Sequence, residues 1–257
     1  MLLAIDVGNT QTHIGMFGDG ELVEHWRFAT VRDSTADELA TVLVGLLGLR
    51  GLKLGDVDSA IVSSVVPQLV HEYEGVSERY LGGVLRTVGP GMKSGIPIRT
   101  ENPYEVGADR LVNAVAAYDR CRSACIVVDF GTAITYDAVS SDGELLGAII
   151  SPGVEISMEA LSERAAKLPK VELEAPKELI GRSTQASIQS GVMYGFAGQV
   201  DGIVGRLREE LGVEATTIAT GGLAATIAPF CEEIDEVDEL LTLTGLRLLW
   251  ERNKGDG

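Results

Sequence analysis

The stretch LLAIDVGNTQT at residues 2–12 decides the reading of this chain, because CIVVDFGTAIT at residues 125–135 repeats its pattern. Each begins as a short apolar strand and ends on Asp-x-Gly followed by small polar residues. These are Asp6-Val7-Gly8-Asn9-Thr10 in the first copy and Asp129-Phe130-Gly131-Thr132 in the second. Asp6, Gly8 and Thr12 stand 123 positions before Asp129, Gly131 and Thr135. Asp19-Gly20-Glu21-Leu22 stands at the same distance before Asp142-Gly143-Glu144-Leu145. An ungapped match over two separate segments indicates an internal duplication.

Working outward, His13 to Phe17 reads as a second strand, Gly18 to Gly20 as a turn, and a third strand begins near Leu22. Ala133 to Val139, the turn Ser141 to Gly143 and the strand Leu145 to Ile150 repeat this meander. A helix follows in each half. Thr35 with Glu38 forms a capping box, and Leu39, Val42, Leu43, Leu46 and Leu47 form an apolar stripe that ends at Gly48 and Gly51. Ala60 to Val66 returns as a strand. In the second half Ser187 to Leu211 is helical in pattern, Thr216 to Thr220 is a strand and Leu240 to Trp250 is a closing helix. Two halves, 1–118 and 119–257, each ordered βββ, helix, strand, predict an α/β protein of two mixed sheets covered by helices, with a cleft between the halves.

Composition narrows the function. The chain has 257 residues, 45% of them hydrophobic, enough for a substantial core. Its 21 basic and 38 acidic residues give a net charge of −17, which opposes binding to nucleic acid or an anionic membrane surface. No apolar run is long enough to span a bilayer. Three cysteines, Cys121, Cys125 and Cys231, form neither a disulfide framework nor a zinc pattern and fit a reducing cytoplasm. The Cys121-x3-Cys125 spacing lacks the usual C-x-x-C form and is read as packing. His13, His25 and His71 have no metal spacing.

The chemistry is placed at four segments. Asp6 to Thr10 puts a metal-capable carboxylate, a glycine and neutral hydrogen-bonding groups at a strand end, and Asp129 to Thr132 repeats these elements. The two loops are expected to hold one triphosphate across the cleft, without a Walker-type loop. Thr220-Gly221-Gly222 follows a strand and opens a helix, where backbone approaches a nucleoside or phosphate closely. In NPYEVGADR at 102–110, Pro103 stops extended structure and a helix begins. An Asp109 carboxylate in its first turn can accept a hydroxyl proton, and Arg110 can bind a carboxylate or phosphoryl oxygens. The same two residue types also fit an ordinary exposed first turn.

The strings DVGNT at 6–10, NPYEVGADR at 102–110, DFGTAIT at 129–135, SPGVEIS at 151–157, GRST at 181–184 and TGGLA at 220–224 together resemble the type III pantothenate kinases, nearly end to end. This family belongs to the actin/hexokinase/Hsp70 ATPase superfamily, with a duplicated ribonuclease-H-like fold. The resemblance implies ATP-dependent phosphorylation of pantothenate with Asp109 as proton acceptor. It implies ATP binding by Asp6, Val7, Gly8, Asn9, Thr10, Gln11, Thr12 and His13, together with Thr132, Gly221 and Gly222. Tyr104, Gly107, Ala108, Asp109, Arg110 and Thr184 would form the pantothenate pocket. Asp129 would bind a monovalent cation, K⁺ or NH₄⁺, and Asp6 would anchor Mg²⁺ through water. The resemblance further implies a cytoplasmic homodimer whose partner subunit helps enclose pantothenate. Two other readings share the fold: a catalytically inactive accessory or regulatory protein, and a kinase of the superfamily that acts on another small substrate.

Overall fold

The computed structural model describes residues 1–255. In chain order the elements are β1 (Leu2–Val7), β2 (Gln11–Gly18), β3 (Glu21–Ala29), α1 (Ala36–Gly48), β4 (Ser59–Ser64), α2 (Pro67–Tyr80), β5 (Leu85–Thr87) and α3 (Ala108–Cys121). There follow β6 (Cys125–Phe130), β7 (Ala133–Val139), β8 (Leu145–Pro152), α4 (Val154–Arg164), α5 (Thr184–Leu211), β9 (Thr216–Thr220), α6 (Ala224–Ile227), β10 (Glu236–Val237) and α7 (Leu241–Asn253). The chain divides into two compact units, one of residues 1–96, 101–116 and from 241 onward, the other of residues 97–100 and 117–240.

Each unit holds one five-stranded mixed sheet. The first has the order β3-β2-β1-β4-β5 and the second β8-β7-β6-β9-β10, the same arrangement used twice. In both, the central strand pairs antiparallel with the second strand of its meander and parallel with the strand that returns after a helix. Apart from Asp6 and Asp129, which are only partly buried, these central strands are buried apolar runs, as expected where a strand has neighbours on both sides and a helix over its face.

In the first unit, the sheet packs on α1 and α2. The Thr35 capping box forms as expected, with the Thr35 hydroxyl accepting from the Glu38 N–H and the Glu38 carboxylate accepting from the Thr35 N–H. The buried stripe of α1 is Ala36, Leu39, Ala40, Leu43 and Leu47. Val42, expected in that stripe, points outward instead, because positions four apart from Leu39 define the covered face. Helix α2, not foreseen from the sequence, starts on Pro67 at its first position and buries Leu69, Tyr73 and Val76. Helix α7, which chain order places in the second half, packs in the first unit: Gly15 leaves room on β2 for Leu243, and Thr242 Oγ1 donates to Asn113 Oδ1 of α3 at 2.7 Å. In the second unit, Met193, Val200 and Val204 of α5 cover β6 and β7, whose Ile126, Val128, Phe130, Ile134 and Tyr136 belong to the same core.

The repeat is one residue out of step in space. Three residues, Gly8 to Thr10, connect β1 to β2, whereas two, Gly131 and Thr132, connect β6 to β7. Asp6 therefore pairs with His13, while Asp129 pairs with Thr135. A one-residue slip sends a side chain to the other face. Thr12, the sequence counterpart of Thr135, is thus buried on the opposite face from Asp6, where its hydroxyl meets that of Thr30 at 2.9 Å.

Candidate active site

In the first unit the candidate residues gather at the C-terminal end of β1. Residues paired across strands project to the same side of a sheet, so Arg27, His13, Asp6 and Ser63 form a row across β3, β2, β1 and β4. The Ser63 hydroxyl, fully buried, donates to Asp6 Oδ1 at 2.5 Å. His13 Nε2 lies 3.1 Å from His25 Nδ1. Burial draws the His13 pKa down to about 4, helped by the charges of Arg27 and His25, so its imidazole is neutral at pH 7.

The connecting loop is closed by the Gly8 N–H donating to the Gln11 carbonyl at 3.0 Å, and a Cβ on Gly8 would lie 2.9 Å from that oxygen. Asn9 and Thr10 are exposed, as is Gln11 at the start of β2. Asn9 Oδ1 accepts from Arg32 at 3.2 Å. Val7 and Thr12 are buried, which leaves only their main chain to meet a ligand.

Asp109 stands in the first turn of α3, where its Oδ1 accepts from the Arg110 N–H at 2.8 Å. Asn102 caps the preceding turn of Pro103 to Glu105 by accepting from the Tyr104 N–H at 3.2 Å, and the Tyr104 side chain is 82% exposed. Gly107 is a glycine because a Cβ there would strike the Asp109 carboxylate. Burial raises the Asp109 pKa, against the Arg110 N–H and guanidinium. Asp6 is pushed up to about 7, first by burial, against the Ser63 hydrogen bond, and further by the nearby Asp109 charge. The first phosphate loop and the proton acceptor read from sequence are thus neighbours. Two carboxylates crowded in a poorly hydrated place favour a cation beside them, so this oxygen set fits a hard divalent ion carried with phosphate. Among the described residues no cluster of three acidic, histidine or cysteine side chains forms a protein-only metal cage.

In the second unit Asp129 ends β6, paired with Thr135 and with Thr220 of β9. Gly221 has φ of +92°, and a Cβ there would press on the Asp129 carboxylate and lie 2.7 Å from the Phe130 nitrogen. Thr132 and Gly222 are exposed, Gly221 half-buried. Ala108 and Arg110 belong to the first turn of α3. Thr184 opens α5 after Ser183, whose hydroxyl accepts from the Ala186 N–H at 3.2 Å, and it borders an apolar groove of about 530 Å³ between α4 and α5.

Sequence reasoning missed Ser63, His25 and Arg27. A hydroxyl inside the apolar run of β4 was a usable signal for Ser63, because a buried polar side chain needs a partner. The partner itself required the β1–β4 register. His25 and Arg27 carry no signal until β3 is laid against β2.

A five-stranded mixed sheet used twice, each copy carrying an aspartate and a tight turn at the end of its central strand, defines a duplicated ribonuclease-H-like fold. A solved structure with this fold is the activator of the 2-hydroxyisocaproyl-CoA dehydratase from Clostridium difficile with bound ADPNP, at TM-score 0.58 and 14% identity over 99% of this chain and 96% of that one. Sequence comparison goes further. The type III pantothenate kinase family profile matches residues 2–206. A type III pantothenate kinase from Moorella thermoacetica is 51% identical over 98% of this chain and 100% of the relative, and one from Anaeromyxobacter sp. strain Fw109-5 is 53% identical over 99% and 100%. The chain belongs to the type III pantothenate kinase family.

Proposed function

We propose that this enzyme transfers the γ-phosphoryl group of ATP to the terminal hydroxyl of pantothenate, giving 4′-phosphopantothenate for coenzyme A synthesis, with Asp109 as proton acceptor. The observation that carries this reading is the Asp109 carboxylate at the start of α3, close enough to Asp6 of the first phosphate loop to raise its pKa. Phosphoryl transfer asks a protein mainly to position the partners and offset charge. Asp109 has an elevated pKa and is partly accessible, which suits a group that takes a proton from an alcohol as its oxygen attacks phosphorus. Arg110, Tyr104, Gly107 and Ala108 line the same turn and would hold the pantothenate carboxylate and backbone.

The nucleotide would be bound by residues 6–13 of one half, 1–118, and by Thr132, Gly221 and Gly222 of the other, 119–257. Backbone N–H groups of the glycine turns and the neutral Asn9, Thr10, Gln11 and His13 meet the phosphates, while Val7 and Thr12 serve through main chain. Mg²⁺ accompanying ATP would supply charge neutralisation, with Asp6 as its water-mediated anchor. A monovalent cation, K⁺ or NH₄⁺, would add positive charge at Asp129 where this loop has no lysine.

A homodimer is supported by apolar residues left in the open in the second unit. Ile149 and Ile150 of edge strand β8, Ile156 of α4 and Tyr194 of α5 are all more than a third exposed. The groove that Thr184 borders lies between α4 and α5 of the same unit, and a partner subunit seated there would help enclose pantothenate. Three free thiols suit a cytoplasmic setting.

The test is a coupled assay of ADP release with pantothenate, hexoses and polyphosphate as alternative acceptors, at fixed K⁺ and Mg²⁺. Pantothenate alone should support turnover. Equal consumption with a sugar would remove the substrate assignment.

A further inference from the structure

One turn along α3 from Asp109, Val112 and Asn113 occupy the i+3 and i+4 positions and so lie on the same side of the helix. Both are buried, and both meet α7. The Thr242 hydroxyl donates to Asn113 Oδ1 at 2.7 Å. Three residues further on, Gly245 passes very close to α3. A Cβ on Gly245 would lie 2.2 Å from the Val112 carbonyl oxygen and 2.7 Å from Val112 Cγ1, so only a glycine fits between the two helices.

Helix α7 is itself fixed on its other sides. It lies on β1, β2 and β4, with Leu241, Leu243, Leu246 and Leu249 buried. Gly15 of β2 admits Leu243, since a Cβ there would come within 2.9 Å of Leu243 Cδ1. The C-terminal end of α7 is tied to the segment between β5 and α3. Asn253 Oδ1 accepts from the Lys93 N–H at 3.0 Å, Asn253 Nδ2 donates to the Lys93 carbonyl at 3.0 Å, and the Arg252 guanidinium donates to the Ser94 carbonyl. One helix thus rests on the strand that contains Asp6 and touches α3 a single turn from Asp109. Its seat sets how far α3 stands from β1.

We propose that Thr242, Gly245 and Asn113 are positioning residues for phosphoryl transfer: through them α7 holds the first turn of α3, and with it the Asp109 carboxylate, at its working distance from the phosphate loop at Asp6. They act through Asp109 and not on the substrate. A proton acceptor displaced by about 1 Å can lose about 10²-fold in rate. The phosphate loop is closed by its own hydrogen bond from the Gly8 N–H to the Gln11 carbonyl and keeps its shape when α3 shifts. Losing the Thr242 hydroxyl would leave a buried amide oxygen to seek another donor, which moves α3. The inference rests on Asp109 as the proton acceptor.

The experiment measures kcat, KM for ATP and the urea midpoint of the full-length enzyme with pantothenate and Mg·ATP. The variants are Thr242→Val, Thr242→Ser, Asp109→Asn and the double variant Asp109→Asn with Thr242→Val. Thr242→Val should lower kcat about tenfold and leave KM for ATP within about twofold. Thr242→Ser keeps the hydroxyl and should restore kcat. The double variant should be no slower than Asp109→Asn alone, because a positioning residue has nothing left to position. Gly245→Ala should cost more, about 10²-fold in kcat, and if it folds poorly the Thr242 pair still decides. A lower urea midpoint with wild-type kcat in Thr242→Val would reduce the contact to packing and overturn the proposal while Asp109 stands. So would a serine variant as slow as the valine one, or effects of Thr242→Val and Asp109→Asn that multiply. Near-normal turnover of Asp109→Asn would instead defeat the proton-acceptor assignment, and this inference with it, whatever Thr242→Val does.

Discussion

The two strand-end aspartates share a sequence pattern yet have different neighbours. Asp6 lies in a row of Arg27, His13 and Ser63; Asp129 lies in a row of Ile150, Thr135 and Thr220. The first row is polar from β3 to β4 and has Asp109 beside it. The second ends in Ile150, 63% exposed on the edge strand β8. One duplicated scaffold thus gives a site for charge in one copy and an apolar edge in the other. What separates them is a single extra residue in the β1–β2 turn, together with the residue types on the outer strands.

The largest effect that would test this contrast is the loss of Asp109, which has no counterpart in the second unit. Asp109→Asn should lower kcat by about 10²–10⁴-fold, the usual worth of a positioned proton acceptor, and leave ATP affinity nearly unchanged. Near-normal turnover in steady-state assays would remove Asp109 from the chemistry.

Ser63→Ala comes next. A hydrogen bond to a charged group contributes about 1.5–3 kcal/mol, so Mg·ATP binding by calorimetry should weaken roughly ten- to a hundredfold. Thr220→Val, at the matching place in the second row, should leave the Mg²⁺ requirement as it was. If both variants behave alike, the two rows are not specialised.

Asp129→Asn should abolish the advantage of K⁺ over Na⁺ in the turnover assay, whereas Asp6→Asn should raise the Mg²⁺ requirement and preserve the K⁺ preference. Indifference of the wild-type enzyme to the monovalent cation would defeat the assignment at Asp129.

Stability effects are smaller. Gly221→Ala forces a left-handed backbone on a residue with a Cβ and pushes that Cβ against Asp129 and Phe130, a cost of about 1–3 kcal/mol in urea unfolding. Gly131→Ala, whose Cβ would find its nearest neighbours at 3.5 and 3.6 Å, should cost less. A pH-dependent effect concerns His13. Its folded-state pKa of about 4 lies below the ordinary 6.5, so between these values the unfolded chain binds a proton that the folded chain does not. Its contribution is therefore full above pH 6.5 and lost as pH falls toward 4. His13→Gln should flatten the decline in denaturation midpoint over that window.

The sequence was informative wherever a pattern is local. The buried runs of β1 and β6, the capping box of α1 and the acidic first turn of α3 follow from residue type and spacing, because strand burial, helix caps and helix starts depend on near neighbours in the chain. It was misleading at Thr12, where an ungapped count aligned it with Thr135 and the extra loop residue turned it to the other face. It was silent on Ser63, since its hydroxyl matters only through a strand 57 positions away.

By itself, then, the sequence determined that the fold is duplicated, that aspartates end its two central strands, and which family of kinases it joins. Tertiary structure alone decided which side chains meet Asp6 and that α7 returns to the first unit. Strand register and the return of a distant helix set those contacts. Each is fixed by packing across the chain, which periodicity along it does not encode.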